Sequence, residues 1–198
     1  MTRSSTAGYA AEADTLAVRY ENLRFEDVHR DILHLIPDRP LRVLDIGAGT
    51  GRDAAALARR GHQVTAAEPT AELRAHGQRL QAGLPILWLD DALPDLPALS
   101  ARGETYDLVL LTAVWMHLDG DERRRAMAAV APLVAAGGRL AMTLRHGPVP
   151  PGRRMFEVPA TEVIDQAAAA GLRLLHHNSR EDMQDRAAVT WDVLMLER

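Results

Sequence analysis

The chain has 198 residues, a formal net charge of −4, 47% hydrophobic and 25% charged residues, and no cysteine. This length fits one domain of ordinary size, and the composition is that of a globular protein. The absence of cysteine excludes disulfides, thiolate nucleophiles and metal sites built on thiolates.

All 23 basic residues are arginine, which we interpret as genome composition. The absence of lysine still excludes a Schiff base to pyridoxal phosphate and the lysine of a P-loop or kinase site. A negative net charge disfavours nucleic acid as a partner, and no apolar run reaches the roughly 18 residues that span a bilayer. Residues 1–14 lack the apolar core of a signal peptide, so we expect a cytoplasmic protein without a membrane partner.

The first 38 residues are predicted to form a helical cap, with helical periodicity over Glu12–Ile36. Apolar residues recur there at helical spacing and two prolines follow: Phe25, Val28, Ile32, Leu35, Pro37 and Pro40. Residues 39–198 are predicted as the main domain, and the two parts together make one compact unit.

Seven apolar runs predict strands at Leu41–Ile46, Val64–Glu68, Leu84–Leu89, Tyr106–Leu111, Gly138–Leu144, Leu172–His177 and Val189–Leu196. Helical segments separate most of them, at Arg52–Gly61, Ala71–Gln81, Asp121–Ala135 and Thr161–Ala170.

Short apolar strands alternating with helices favour a parallel sheet that is covered on both faces. The last two strands are joined by a polar loop over Asn178–Ala188 without a crossover helix, so the last strand is expected to be antiparallel. The predicted fold is therefore α/β, with a Rossmann-like, seven-stranded, mostly parallel sheet and helices on both faces.

A glycine-rich turn follows the first predicted strand, where an open α/β sheet binds ligands. Glycines stand at the first, third and fifth positions, as Gly47, Gly49 and Gly51, and Arg52 takes the sixth position. The dinucleotide fingerprint has its third glycine at the sixth position. This difference disfavours an NAD-binding oxidoreductase, which we keep as an alternative.

Acidic residues end the second and third predicted strands. Glu68, 21 residues after Gly47, can accept hydrogen bonds from both hydroxyls of a ribose. A carboxylate of the pair Asp90 and Asp91 can accept a bond from the amine of adenine.

These segments, taken with Leu111–Leu118 and Gly137–Leu140, resemble the class I S-adenosylmethionine-dependent methyltransferases over roughly residues 40–145. The resemblance implies S-adenosylmethionine as the cofactor and the fold described above. It assigns cofactor contacts to Tyr20, Asp45, Gly47, Ala48, Gly49, Gly51, Glu68, Pro69, Asp91, Ala92, Thr112 and Ala113. Of the two aspartates, Asp91 fits the family better, because Ala92 follows it.

Methyl transfer from a sulfonium needs alignment of the reactants, and a base where the acceptor keeps a proton. His117 and His146 follow the fourth and fifth strands and are the candidate bases. Packing against the pocket is the alternative role for His117. Arg145 can bind a carboxylate or another oxyanion, while Arg153 and Arg154 are expected to be solvated.

The acceptor is expected to be a small metabolite, with an anion as one option. The cytosine C5 enzymes and the arsenite enzymes of this family use cysteine, which the chain lacks. It also lacks the Asn/Asp-Pro-Pro-aromatic run of enzymes that methylate base amines, and the Asp and Asn cluster of metal-dependent members, so we expect no metal. A non-catalytic member that binds the cofactor, and either a monomer or a homodimer, remain open.

Overall fold

The computed structural model describes residue 6, residues 8–184 and residues 186–198. Its centre is a seven-stranded sheet with the order β3-β2-β1-β4-β5-β7-β6. The strands are β1 Arg42–Ile46, β2 Gln63–Ala67, β3 Ile86–Leu89, β4 Tyr106–Thr112, β5 Val134–His146, β6 Arg173–Glu181 and β7 Thr190–Glu197. Strand β7 runs antiparallel to both β5 and β6, and the other neighbouring pairs are parallel. The predicted fold class is confirmed.

Seven α-helices belong to the described chain: α1 Ala13–Glu21, α2 Phe25–Val28, α3 Arg52–Arg59, α4 Ala71–Leu80, α5 Pro97–Arg102, α6 Gly120–Val130 and α7 Ala160–Ala169. Short 3-10 turns stand at Ala10–Glu12, Leu33–Leu35, Trp115–His117 and Ala131–Leu133. Among the described residues, no helix is long and apolar enough to cross a membrane.

Both faces of the sheet are buried, which explains the uninterrupted apolar runs of the strands. Along β4, Leu108 and Leu110 pack into a cluster with α3 and the cap, while Val109 and Leu111 pack with α6 and α7 on the other face. All four side chains have no solvent exposure. The alternation places a helical layer on each side of the sheet.

The N-terminal region is less regular than its periodicity predicts. Helix α1 ends at Glu21, α2 is a single turn, and residues 29–32 form turns before the 3-10 segment Leu33–Leu35. The apolar residues of this pattern are nevertheless buried, since Phe25, Val28 and Ile32 all lie in the core. Residues 1–5 and 7 of the predicted cap lie outside the described residues, and the domain boundary at residue 38 stays a prediction.

Two further differences concern the edges of the sheet. Helix α5 was not expected, since its six residues are too short for a clear helical period. Strand β6 continues to Glu181 through residues predicted as loop, because an exposed sheet edge tolerates their polar side chains and their backbone pairs with β7.

Candidate active site

A cavity of about 290 Å³ lies where β1, β2, β4 and β5 end, beneath the N-terminal cap. The strand ends of a parallel sheet meet at one edge, and ligands of open α/β folds bind there. Most of the predicted site residues line this cavity: Tyr20, Asp45, Gly47, Ala48, Gly49, Glu68, Pro69, Asp91, Ala92, Thr112, Ala113, His117 and Arg145. Gly51 and His146 do not line it.

The three glycines of the turn have positive φ angles of 74°, 58° and 76° at Gly47, Gly49 and Gly51, which favour glycine. A Cβ at Gly49 would lie 3.3 Å from the Tyr20 ring of the cap. A Cβ at Gly51 would lie 2.7 Å from the Trp88 ring, away from the cavity. Gly51 therefore admits the packing of β3 against the start of α3, and its predicted contact with a cofactor stays a prediction.

Glu68 follows β2 and is 4% exposed. Its carboxylate accepts hydrogen bonds from the backbone N–H groups of Gly49 at 2.8 Å and Thr70 at 2.7 Å. Burial raises the pKa of Glu68, while the bonds from Thr70 and Gly49 oppose the shift. The side chain thus ties the glycine turn to the end of β2 and keeps further lone pairs for a ligand.

Asp91, rather than Asp90, faces the cavity. Asp91 is 1% exposed, and its two carboxylate oxygens accept from the backbone N–H groups of Ala92 at 3.0 Å and Leu99 at 2.8 Å. Asp90 is exposed and pairs with Arg74 at 3.3 Å. Asp91 therefore lines the cavity, and its bond to the adenine amine stays a prediction, as does that of the Ala92 amide, which already has an intramolecular acceptor.

A buried polar network lies beneath the glycine turn, around a residue that the sequence analysis missed. Asp53 on α3 accepts from His29 Nε2 at 2.8 Å, from Arg52 Nε at 2.7 Å and from Thr112 Oγ1 at 3.0 Å. Burial opposes its ionisation, but Arg52 and then His29 lower the pKa of Asp53. The pair of charged residues directly after the turn, Arg52 and Asp53, is the sequence feature that could have indicated this network.

Asp45, the second-last residue of β1, is also buried, with 2% exposure. Burial, and then the negative charge of Asp53, raise the pKa of Asp45 well above its ordinary value. The two carboxyl groups therefore differ in their charge preference, with the negative charge held at Asp53.

His117 ends the 3-10 turn after β4 and is 6% exposed. Its Nδ1 lies 2.8 Å from the carbonyl oxygen of Arg154, and its Nε2 lies 2.8 Å from the Tyr9 hydroxyl. Burial lowers the pKa of His117, and the nearby guanidinium groups lower it further against the effect of the carbonyl contact. The imidazole is therefore neutral at neutral pH.

Tyr9 is the second residue that the sequence analysis missed, because it lies in a polar segment without helical periodicity. Arg153 lies over its ring, with the guanidinium carbon 4.2 Å from the ring centre, and pairs with Glu12 at 2.7 Å. Arg154 pairs with two acidic residues that begin α6. The expectation of solvated Arg153 and Arg154 is therefore wrong, since both fix the loop after β5 to its neighbours.

Arg145 ends β5 with 9% exposure. Its guanidinium donates to the carbonyl oxygens of Pro148 at 2.9 Å and Gly147 at 3.5 Å. Within the described residues its Nε has no hydrogen-bond partner. Burial, and then the charge of Arg186, lower the pKa of Arg145. A buried cation bonded to carbonyls is suited to an incoming anion.

His146, the next residue of β5, points away from the cavity because successive strand residues face opposite sides of a sheet. Its Nδ1 pairs with Glu157 at 2.8 Å and its Nε2 with Asp192 at 2.9 Å. Both nitrogens are thus held by carboxylates on the far face, which contradicts the expectation that His146 is a base in the site.

Comparisons with known proteins agree with this geometry. Residues 43–138 match the family model described as a methyltransferase domain. An uncharacterized methyltransferase of Mycobacterium tuberculosis is 33% identical over 129 residues, which cover 61% of this chain and 63% of the relative. The chain thus spans somewhat less than two thirds of that relative's length.

Two solved structures show the same fold. A TehB-like SAM-dependent methyltransferase of Corynebacterium glutamicum has a TM-score of 0.69 and 21% identity, over 93% of this chain and 97% of the other. The 1,6-didemethyltoxoflavin-N1-methyltransferase of Burkholderia thailandensis was solved with 1,6-didemethyltoxoflavin and S-adenosylhomocysteine. It has a TM-score of 0.65 and 22% identity, over 100% of this chain and 91% of the other. Residues 43–138 are thus similar to a methyltransferase domain, and the chain shares the fold of these two solved methyltransferases.

Proposed function

We propose that the protein transfers a methyl group from S-adenosylmethionine to an oxygen, nitrogen or sulfur atom of a small metabolite. The observation that carries this proposal is the single cavity edge at which the glycine turn, two buried acidic residues, a neutral histidine and a buried arginine meet. The relatives named as methyltransferases support it.

The residues of the cavity fit an adenosyl methyl donor. Glu68 and Asp91 are buried acceptors at the ends of neighbouring strands, suited to ribose hydroxyls and to the adenine amine. Gly47 and Gly49 leave the turn without side chains on the cavity side. When bound, the sulfonium supplies an electrophilic methyl group and departs as a neutral thioether.

Two residues serve the acceptor in this proposal. His117 is the group that becomes protonated when the acceptor loses its proton, because its neutral imidazole lies in the cavity wall. Arg145 binds a negatively charged group of the acceptor, since its buried guanidinium has an unpartnered N–H within the described structure. We therefore infer a small anionic acceptor rather than a nucleic acid, for which a chain of net charge −4 is poorly suited.

The test is a panel of hydroxy-, amino- and mercapto-acids, each paired with an analogue in which the acid is an uncharged amide. The released S-adenosylhomocysteine is measured. We expect release with at least one acid and a much higher KM for its amide. Binding of S-adenosylmethionine without release on any panel member would instead favour a non-catalytic role.

A further inference from the structure

The lone pair of His117 that could act as a base is already in use. A carbonyl oxygen can only accept, so the contact with Arg154 places the imidazole proton on Nδ1. The unprotonated Nε2 then accepts from the Tyr9 hydroxyl at 2.8 Å. A neutral imidazole has one such lone pair, so an acceptor in the cavity meets Tyr9 before it meets His117.

The hydroxyl of Tyr9 is held in a fixed orientation within the cavity wall. Its ring meets the His117 ring edge to face, with centroids 5.4 Å apart at 84°. The Arg153 guanidinium covers the Tyr9 ring on another side, and the ion pair with Glu12 anchors that arginine. The Tyr9 oxygen donates its proton to His117, and Tyr20 and Arg153 approach its lone pairs as hydrogen-bond donors, so the X–H group of an acceptor would replace one of them.

The charges around the two groups set their protonation at neutral pH. Burial raises the pKa of Tyr9, with Arg153 lowering it and Glu68 raising it by smaller amounts. Burial lowers the pKa of His117, in the same direction as Arg153, Arg154 and Arg145 and against the Arg154 carbonyl contact. Tyr9 is thus a phenol and His117 a neutral imidazole, which is the starting state for a relay.

We propose that Tyr9 is a catalytic residue whose hydroxyl takes the acceptor's proton and passes its own proton to His117 Nε2. The acceptor's X–H bond breaks toward Tyr9 Oη while the Tyr9 O–H bond breaks toward Nε2. The electron pair left on X forms the new bond to the methyl carbon, and the pair of the broken sulfur–carbon bond stays on sulfur. One positive charge leaves the sulfonium and one appears on His117, so the charge balances. This relay rests on the proposed function.

The first test needs no acceptor. Nitrogen-15 NMR of the histidine rings, recorded with S-adenosylhomocysteine as the probe ligand and without it, reports where the His117 proton resides. We expect it on Nδ1 in the wild type, and a higher pKa of His117 in Tyr9→Phe, since a bond to the neutral form is lost. A wild-type proton on Nε2, or an unchanged pKa in the variant, would overturn the relay.

The second test is kinetic, with the panel acid that gives the fastest release of S-adenosylhomocysteine. Tyr9→Phe and His117→Gln should each lower kcat about 100-fold, as is typical of lost acid–base catalysis. The double variant should be no slower than the slower single variant, because both substitutions break one relay. If the losses in kcat of the two single variants multiplied in the double variant, or if only KM changed, the relay would be contradicted.

Tyr106→Phe is the matched control, because its hydroxyl bonds Glu104 at 3.2 Å outside the cavity, and it should keep the wild-type kcat. The failures of the two proposals are distinguishable. A wild type that neither binds S-adenosylhomocysteine nor reacts with any acid fails the proposed function. A wild type that reacts while Tyr9→Phe keeps its kcat fails only the relay.

Discussion

Glu68 shows how one side chain can serve both the fold and the site. Its carboxylate holds the backbone of the glycine turn and of Thr70 from a buried position, and the same group faces the cavity. Removing it would therefore change the shape of this side of the cavity as well as its hydrogen-bonding groups.

We predict that Glu68→Ala weakens S-adenosylhomocysteine binding by about 10- to 100-fold, the loss expected for hydrogen bonds to a charged group. Isothermal titration calorimetry measures the dissociation constants. Glu104→Ala, at a half-buried site outside the cavity, should bind like the wild type. An unchanged affinity in Glu68→Ala would remove the ribose role from this residue.

The lowered pKa of His117 predicts an acid limb in the pH profile. Its ordinary value is 6.5, and burial moves the folded-state pKa below that. The neutral imidazole that receives a proton is therefore retained down through pH 6.5, and kcat/KM should fall at lower pH. Steady-state rates between pH 5 and 8 measure this limb, and a decline that begins above pH 7 would contradict the assignment.

The free energy of unfolding should also depend on the protonation of His117. As the pH falls below 6.5, the unfolded chain binds a proton at His117 before the folded chain does, so the free energy of unfolding decreases. Urea unfolding at several pH values should show a weaker decrease in His117→Gln than in the wild type.

The cap contacts the sheet domain through buried and half-buried polar pairs, and it contains no long helix. His29 pairs with Asp53 of α3, Glu21 accepts from Thr50 of the turn at 2.7 Å, and Asp31 pairs with Arg180 of β6 at 3.1 Å. These contacts hold the cap residues over the cavity, and so they set where Tyr9 and Tyr20 lie.

We predict that His29→Ala destabilises the protein by about 3 kcal/mol, since it leaves Asp53 buried with one partner fewer. Urea denaturation measures the free energy of unfolding. Arg24→Ala removes an exposed pair with Glu26 at 3.8 Å, and should cost less than about 1 kcal/mol. Equal effects of the two substitutions would contradict a structural role for the buried pair.

For the molecule as a whole, the sheet was well predicted because its inner strands β1, β2, β4, β5 and β7 are mostly buried on both faces and are largely apolar. The parallel strands end at one edge of the sheet, so Glu68, Asp91 and Arg145, which follow apolar runs, could be expected at the cavity that they line, while their roles there stay predictions. The reversed last strand followed from the missing crossover helix.

The cap and its contacts could not be predicted in the same way. Tyr9 reaches His117 across 108 positions of sequence, and no local period marks such a contact. His146 was misassigned because its position after β5 resembled that of Arg145, while the alternation of the strand sends its side chain to the opposite face. A position near the end of a strand predicts that a residue lies close to the site. The alternation of side chains along the strand decides whether its side chain points into the site.

Above all, we propose that the cavity beneath the cap binds S-adenosylmethionine. Calorimetric titration of the protein with S-adenosylmethionine and S-adenosylhomocysteine, with NADH as the comparison ligand, tests it most directly. We predict one saturable site with micromolar affinity for both sulfur compounds and no heat from NADH beyond dilution. No binding of either sulfur compound at high micromolar concentration, or tighter binding of NADH, would contradict the account.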